Sequence, residues 1–275
     1  LRTWERVANI RFEETESSRV SVSPAGRSGD GVSLITIAAT PANTLLFAKD
    51  ADEMAAATRI FFDRKGSITE ADIVLNPFVQ FSADGKLATY DLESTFTHEL
   101  GHLLGLDHSD LVSSALYENY GQNGIYGVPN FLARSLAASD IAAIRALYGS
   151  RSPESCCGSI SGRLAASIGS SRNFEIWAEE AMTGRLAART RVAGGGSFRL
   201  EGMPTGTYRL FAQSSLFSKM PTSAVMIGEV AVSAGEETSV AKRVSLSASD
   251  LELQIAGTND EISGLAVPAN AGQTL

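Results

Sequence analysis

The sequence predicts an α+β domain with a mixed sheet and long helices over residues 1–150, followed by an all-β antiparallel sandwich over residues 158–247. Three observations predict it. Up to Gly149, helical and extended patterns are interleaved, as in a layered helix-and-sheet domain. The stretch SRSPESCCGS then breaks both patterns with serine, proline and glycine, so residues 151–157 read as a linker. Beyond it come seven short strand-like runs separated by glycine turns, the texture of a two-sheet β domain. A length of 275 residues accommodates two such domains.

At the start, LRTWERVANIRF reads as the end of an amphipathic helix running into a strand. The chain opens inside an element and without methionine, which leads us to expect a longer precursor. MAAATRIFFDRKGSITEADIVLNP reads as two strands around a turn at residues 64–67, with β-branched and aromatic residues on both sides. LESTFTHELGHLLGL spaces its apolar residues as a helix does and contains no proline. SLAASDIAAIRALYG reads as a second helix. Ser139 or Asp140 caps it, Ile141, Ile144, Leu147 and Tyr148 line one face, and Gly149 stops it.

In the β domain, strands are expected at 159–165, 174–179, 186–192, 197–200, 207–212, 225–232 and 239–246. The glycines at 194–196 have no lysine and no following helix, so they read as a hairpin turn rather than a phosphate loop. Residues 248–275 read as a tail or the start of a further domain.

Composition narrows the function classes. Apolar residues at 44% and charged residues at 20% are ordinary for a soluble globular protein. No apolar run of about 18 residues occurs, so no membrane span is expected. The net charge of −8 is concentrated early: residues 1–150 hold 12 basic against 19 acidic side chains. That surface disfavours nucleic acid and anionic membrane, both of which require clustered positive charge. The only cysteines, Cys156 and Cys157, are adjacent. That spacing builds no disulfide framework and no zinc knuckle, so they are expected as two linker thiols, with a disulfide between the two neighbours as the alternative.

All three histidines lie within THELGHLLGLDHSD. His98 and His102 are four apart, and at about 100° per residue they fall on nearly one helix face. Imidazoles so placed aim at one ion about 2.0–2.1 Å away. Glu99 sits at the edge of that face, where its carboxylate reaches a water beside the ion. Gly105 permits the left-handed turn that brings His108 back as a third ligand. Three neutral nitrogens leave a fourth tetrahedral position open, the mark of a catalytic rather than a structural zinc site.

The pattern H-E-x-x-H-x-x-G-x-x-H is the signature of the metzincin zinc peptidases. Ser109 after the third histidine resembles the matrixin branch. So do LAASDIAAIRALYG as a closing helix, WERVANIRFEE as a first helix and strand, and EADIVLNP as a sheet strand; the resemblance spans residues 1–149. It implies a zincin-like fold, one catalytic Zn2+ on His98, His102 and His108, and Glu99 as general base. It also implies a secreted or cell-envelope location, protein or peptide substrates, and a first strand and inhibitory pro-segment preceding Leu1.

Two departures stand out. The family's methionine, eight residues after the third histidine, is Leu116 here, and Glu118 replaces a usual proline. Leucine is close in volume, and such swaps cost under about 1.5 kcal/mol. Vertebrate matrixins hold a structural zinc on further histidines, and this chain has none to spare. Ca2+ at oxygen-rich loops, such as that around Asp84, has no EF-hand spacing behind it.

The expected activity is hydrolysis of peptide bonds with the substrate added as a β-strand, residues 78–90 being the first candidate edge. The alternative is a non-catalytic extracellular adhesion protein that retains a zinc site. Glu99 favours the enzyme, because a structural site has no need of it. The second domain resembles the prealbumin-like, carboxypeptidase-regulatory-type sandwich through Thr183-Gly184, the GGSFRL run and PTGTY, with Phe198 and Tyr208 packed inside. That implies either a surface-binding module or a spacer.

Overall fold

The hairpin around residues 64–67 forms as the alternation of β-branched and aromatic residues requires. The structure, a computed structural model, describes residues 1–26, 28–48, 54–118, 121–124, 132–153, 156–164, 174–214 and 224–240, with the backbone alone of 252–255 and 265–268. It divides into two compact units, Leu1–Ile144 and Arg145–Leu275.

In the first unit, β2 (Ala56–Phe62) pairs antiparallel with β3 (Ile68–Leu75), and β1 (Ile35–Thr36) adds to the far side of β3 in parallel. The sheet order is therefore β1-β3-β2, a mixed sheet with β2 at an edge. Asn76 N–H donates to Ala55 C=O at 2.9 Å, so Ala55 and Asn76 are a hydrogen-bonded pair. Counting from it by twos, Ala57 and Arg59 face β3 with their peptide groups, and Ala56, Thr58 and Ile60 turn theirs outward. A second pair, β4 (Phe81–Ser82) with β5 (Tyr90–Asp91), is parallel and two residues long.

After the single turn α2 (Pro41–Thr44), helix α3 (Leu92–Leu103) follows β5 directly and packs against β2 and β3. Asp91 caps it by accepting the Ser94 N–H at 2.8 Å. Arg134, in a 3-10 turn at Leu132–Arg134, grips the same carboxylate through Nε at 2.9 Å and Nη2 at 2.5 Å. Burial opposes ionisation of Asp91, but Arg134 and Ser94 win and hold its carboxyl below the usual range.

The core under α3 gathers Trp4, Ala8, Ile73, Leu100, Leu104, Leu116 and Ile144. Trp4 belongs to α1 (Arg2–Glu5) and its indole N–H donates to Thr97 C=O at 2.9 Å. The helix expected here is thus a single turn, and residues 11–14 form no strand: Phe12 N–H is satisfied by the Glu5 side chain instead of a sheet partner.

Gly101 faces this core at close quarters. A Cβ there would meet Leu116 Cδ2 and, at 3.0 Å, Trp4 Cζ2. Gly101→Ala is therefore expected to lower Tm: overpacking costs about 1–3 kcal/mol, which outweighs a helix-propensity gain of about 0.8–1.0 kcal/mol. A variant that melts at or above the parent temperature would show that Leu116 moves aside freely.

Helix α4 (Ala138–Tyr148) starts one residue before Ser139, so neither Ser139 nor Asp140 is its cap residue. Asp140 instead reaches back to the Ala137 N–H at 2.9 Å, as the third residue of a capping box does. Asp140, Ala142 and Ile144 are its buried residues, so the expected stripe packs at Ile144, whereas Leu147 is 57% exposed and Tyr148 is exposed as well.

The second unit has two sheets. One is antiparallel, order β11-β10-β7-β8, from β7 (Phe174–Glu180), β8 (Leu186–Arg191), β10 (Gly206–Ser214) and β11 (Val225–Val232). The other, order β12-β6-β9, joins β6 (Gly158–Arg163), β9 (Ser197–Met203) and β12 (Glu237–Val240). Its β12 runs parallel to β6, so the unit is all-β without being all-antiparallel. Alternate residues Phe174, Ile176 and Ala178 bury one face of β7, and Phe198 and Tyr208 are buried as expected. The glycines at 194–196 form the expected tight turn, closed by Gly196 N–H to Ala193 C=O at 3.0 Å and Ala193 N–H to Ser197 C=O at 2.8 Å, although the strands it joins, β8 and β9, belong to different sheets.

Cys156 and Cys157 are bonded to each other, which corrects the expectation of two thiols. A further antiparallel pair, β13 (Glu252–Ile255) with β14 (Leu265–Pro268), lies in the expected tail. The rest of that tail and the 241–246 continuation of β12 lie outside the described residues.

Candidate metal centre

The four residues singled out in the sequence come together around the C-terminal half of α3. His98 and His102 share a helix face with their Nε2 atoms 3.0 Å apart. Their Nδ1 atoms point the other way: His98 Nδ1–H donates to Ala115 C=O at 3.0 Å and His102 Nδ1–H to Leu106 C=O at 2.8 Å. A carbonyl only accepts, so each Nδ1 carries the proton, and in the neutral ring each Nε2 turns its lone pair toward the shared face.

The chain leaves the helix at Gly105, whose φ of 91° is the left-handed turn expected of it. That turn places the Leu106 carbonyl under His102 and returns His108 to the helix. One ring nitrogen from each of His98, His102 and His108 lies within 4.8 Å of the others.

Such a set fits a metal ion. A tetrahedral site with bonds of about 2.0–2.1 Å needs donors about 3.4 Å apart, close to the His98–His102 spacing. Three imidazoles without thiolate or carboxylate suit zinc better than a hard cation. Burial, then the neighbouring His102, push His98 down to about 3, so it is neutral and ligand-ready at any ordinary pH. Burial likewise lowers His102. His108 is exposed, with Nδ1 3.8 Å from Glu118 Oε1, too long for a hydrogen bond.

Glu99 lies beside this face, 5% exposed. Burial pushes its carboxyl up to about 7, against the opposing hydrogen bond from Thr58. Thr58 Oγ1–H donates to Glu99 Oε2 at 2.5 Å from the middle of β2. A carboxyl balanced near neutrality, with one oxygen held, is suited to taking and returning a proton.

Leu116, in the position of the family's methionine, is 3% exposed and packs on Gly101 directly before His102. The segment leading to it is held from α4. Asp140 accepts Ser114 Oγ–H at 2.5 Å and Ala115 N–H at 2.8 Å, and the Ala115 carbonyl is the one that orients His98. Ser109 N–H returns to Leu116 C=O at 2.8 Å, closing the loop that carries His108. Sequence reasoning missed Thr58 altogether, because nothing local marks a threonine 41 residues from its partner. Asp140 is legible in the sequence only as a candidate cap.

The family model described as Matrixin matches residues 1–149. Metalloendoproteinase 4-MMP of Arabidopsis thaliana is 35% identical over 78 residues, 22% of this chain and 23% of that protein. Metalloendoproteinase 1 of Glycine max is 29% identical over 157 residues, 53% of this chain and 42% of that protein. The matched stretches span less than half the length of either relative.

Proposed function

Since the chain belongs to the matrixin family, we propose that it is a zinc-dependent endopeptidase with His98, His102 and His108 as metal ligands and Glu99 as general base. The observation that carries this reading is the convergence of three histidine nitrogens beside a buried, proton-ready carboxylate.

A zinc ion held there supplies a Lewis acid for a carbonyl oxygen and lowers the pKa of water from about 15.7 towards 7. Glu99 accepts a proton from the attacking water as the new C–O bond forms. It then delivers that proton to the amine nitrogen as the C–N bond breaks. Burial keeps His98 and His102 neutral, and their Nδ1–H bonds to backbone carbonyls hold the rings in place.

The substrate chain adds to the outer edge of β2 rather than along residues 78–90. Among the described residues β2 pairs only with β3, the peptide groups of Ala56, Thr58 and Ile60 turn away from β3, and the Thr58 side chain reaches Glu99. Residues 81–82, in contrast, form a strand only two residues long. The second unit, read as a prealbumin-like sandwich, serves as a spacer or a surface-binding module for a secreted enzyme. Among the described residues no helix is long and apolar enough to cross a membrane.

The test is casein hydrolysis by the chain as isolated, after chelation, and after zinc is returned, with metal content measured at each stage. Cleavage should vanish with the metal and return with one zinc per chain. A chain carrying one zinc that leaves casein and unstructured peptides intact would overturn the reading and favour an adhesion protein with a retained metal site.

A further inference from the structure

We propose that Thr58 is a positioning residue for Glu99, and that a substrate strand paired to β2 bears on the base through it. The proposal rests on the endopeptidase reading above.

Thr58 sits at the one position of β2 where two directions matter at once. Its side chain points at α3, where Oγ1 is 2.5 Å from Glu99 Oε2 and 3.3 Å from the Glu99 carbonyl. A hydroxyl has a single proton, and the shorter contact to the carboxylate takes it. Its peptide N–H and C=O point sideways, away from β3 and into the open edge, because Thr58 and Ile73 are a non-hydrogen-bonded pair. One residue thus holds the base with its hydroxyl and presents its backbone to the chain that the base acts upon.

The consequence for Glu99 is geometric. A carboxylate on a glutamate turns easily about its last bond. With Oε2 held by Thr58, that rotation stops and Oε1 is the oxygen left for water and amine. Threonine suits the task because its β-branch leaves few side-chain rotamers, so a fixed backbone fixes the hydroxyl. An added substrate strand fixes that backbone further. The base is then best ordered only when a peptide lies on β2, a form of preorganisation that acts on turnover rather than on binding.

Thr58→Val keeps the shape and removes the hydroxyl; Thr58→Ser keeps the hydroxyl. With zinc content and Tm matched to the parent, Thr58→Val is expected to lose about 10–100-fold in kcat with KM little changed. Thr58→Ser should stay within about threefold. Equal losses in both variants would mean that only packing matters at this position and would overturn the proposal. So would an undiminished kcat in Thr58→Val.

A readout independent of turnover separates this from failure of the endopeptidase reading. The 13C resonance of the Glu99 carboxyl carbon, assigned by its disappearance in Glu99→Gln, should shift in Thr58→Val and stay in Thr58→Ser. If the parent chain does not cleave peptides, the function is wrong whatever Thr58 does. If it cleaves and the resonance ignores the hydroxyl, Thr58 does not position the base.

Discussion

Glu99→Gln is expected to lower kcat for peptide hydrolysis by about 10²–10⁴-fold while leaving one zinc bound per chain. Glutamine has the size of glutamate and retains an oxygen to accept the Thr58 hydroxyl, so the packing between β2 and α3 survives. It has no basic oxygen, so it cannot take a proton from water or pass one to an amine. The three histidines are untouched, and their Nδ1 partners at Ala115 and Leu106 do not involve position 99. The check is steady-state hydrolysis of a quenched peptide beside metal analysis of the same preparation. A variant with its zinc and more than about a tenth of the parent kcat would exclude Glu99 as the general base, given the size of that effect.

Asp140→Ala should cause the largest loss of stability. Asp140 is 4% exposed and its carboxylate accepts from Ser114 Oγ, Ala115 N–H and Ala137 N–H. Alanine leaves two buried donors and a half-buried one without an acceptor; at about 1–3 kcal/mol for each buried donor, a total of about 3–5 kcal/mol is expected. Over a unit of this size that lowers Tm by about 10 °C or more. Zinc affinity should fall as well, by about 10–100-fold, because the Ala115 carbonyl that orients His98 loses its restraint.

Asp140→Asn provides the contrast. Burial pushes this carboxyl up, so the site tolerates an uncharged group. The asparagine oxygen at the Oδ2 position still accepts both backbone N–H groups, and its NH₂ can donate to Ser114 Oγ. Thermal melts with and without zinc, run on both variants, decide the matter. An alanine variant that melts within about 2 °C of the parent would show that Asp140 carries no such restraint, since that shift corresponds to well under 1 kcal/mol.

How much was legible in the sequence follows from how far apart the interacting residues lie. His98, His102 and His108 span eleven positions, and helical spacing plus one left-handed glycine is enough to bring them together. The β2–β3 hairpin is equally local. Thr58 to Glu99 and Ser114 to Asp140 are pairings across 41 and 26 positions, and no periodicity announces them. On α4 the apolar stripe is legible at Ile144, which is buried, and not at Leu147, which is exposed. A stripe of apolar residues marks a face that could pack, but not how far along the helix it does. In the second unit, strand texture identified strands within a residue or two at most ends. Alternation cannot say which neighbour a strand takes, and so the parallel β12–β6 pairing went unread.

The contact between Gly101 and Leu116 bears on the order in which this site can change over generations. The two positions share one small volume under the ligands, and a side chain at 101 leaves less of it for 116. A lineage that first gains alanine at 101 passes through a crowded, less stable intermediate. One that first shortens 116 passes through a loosely packed one, with a cavity in place of a clash. Leucine beside glycine is thus a locked pair. Drift at either position costs stability until the other has moved.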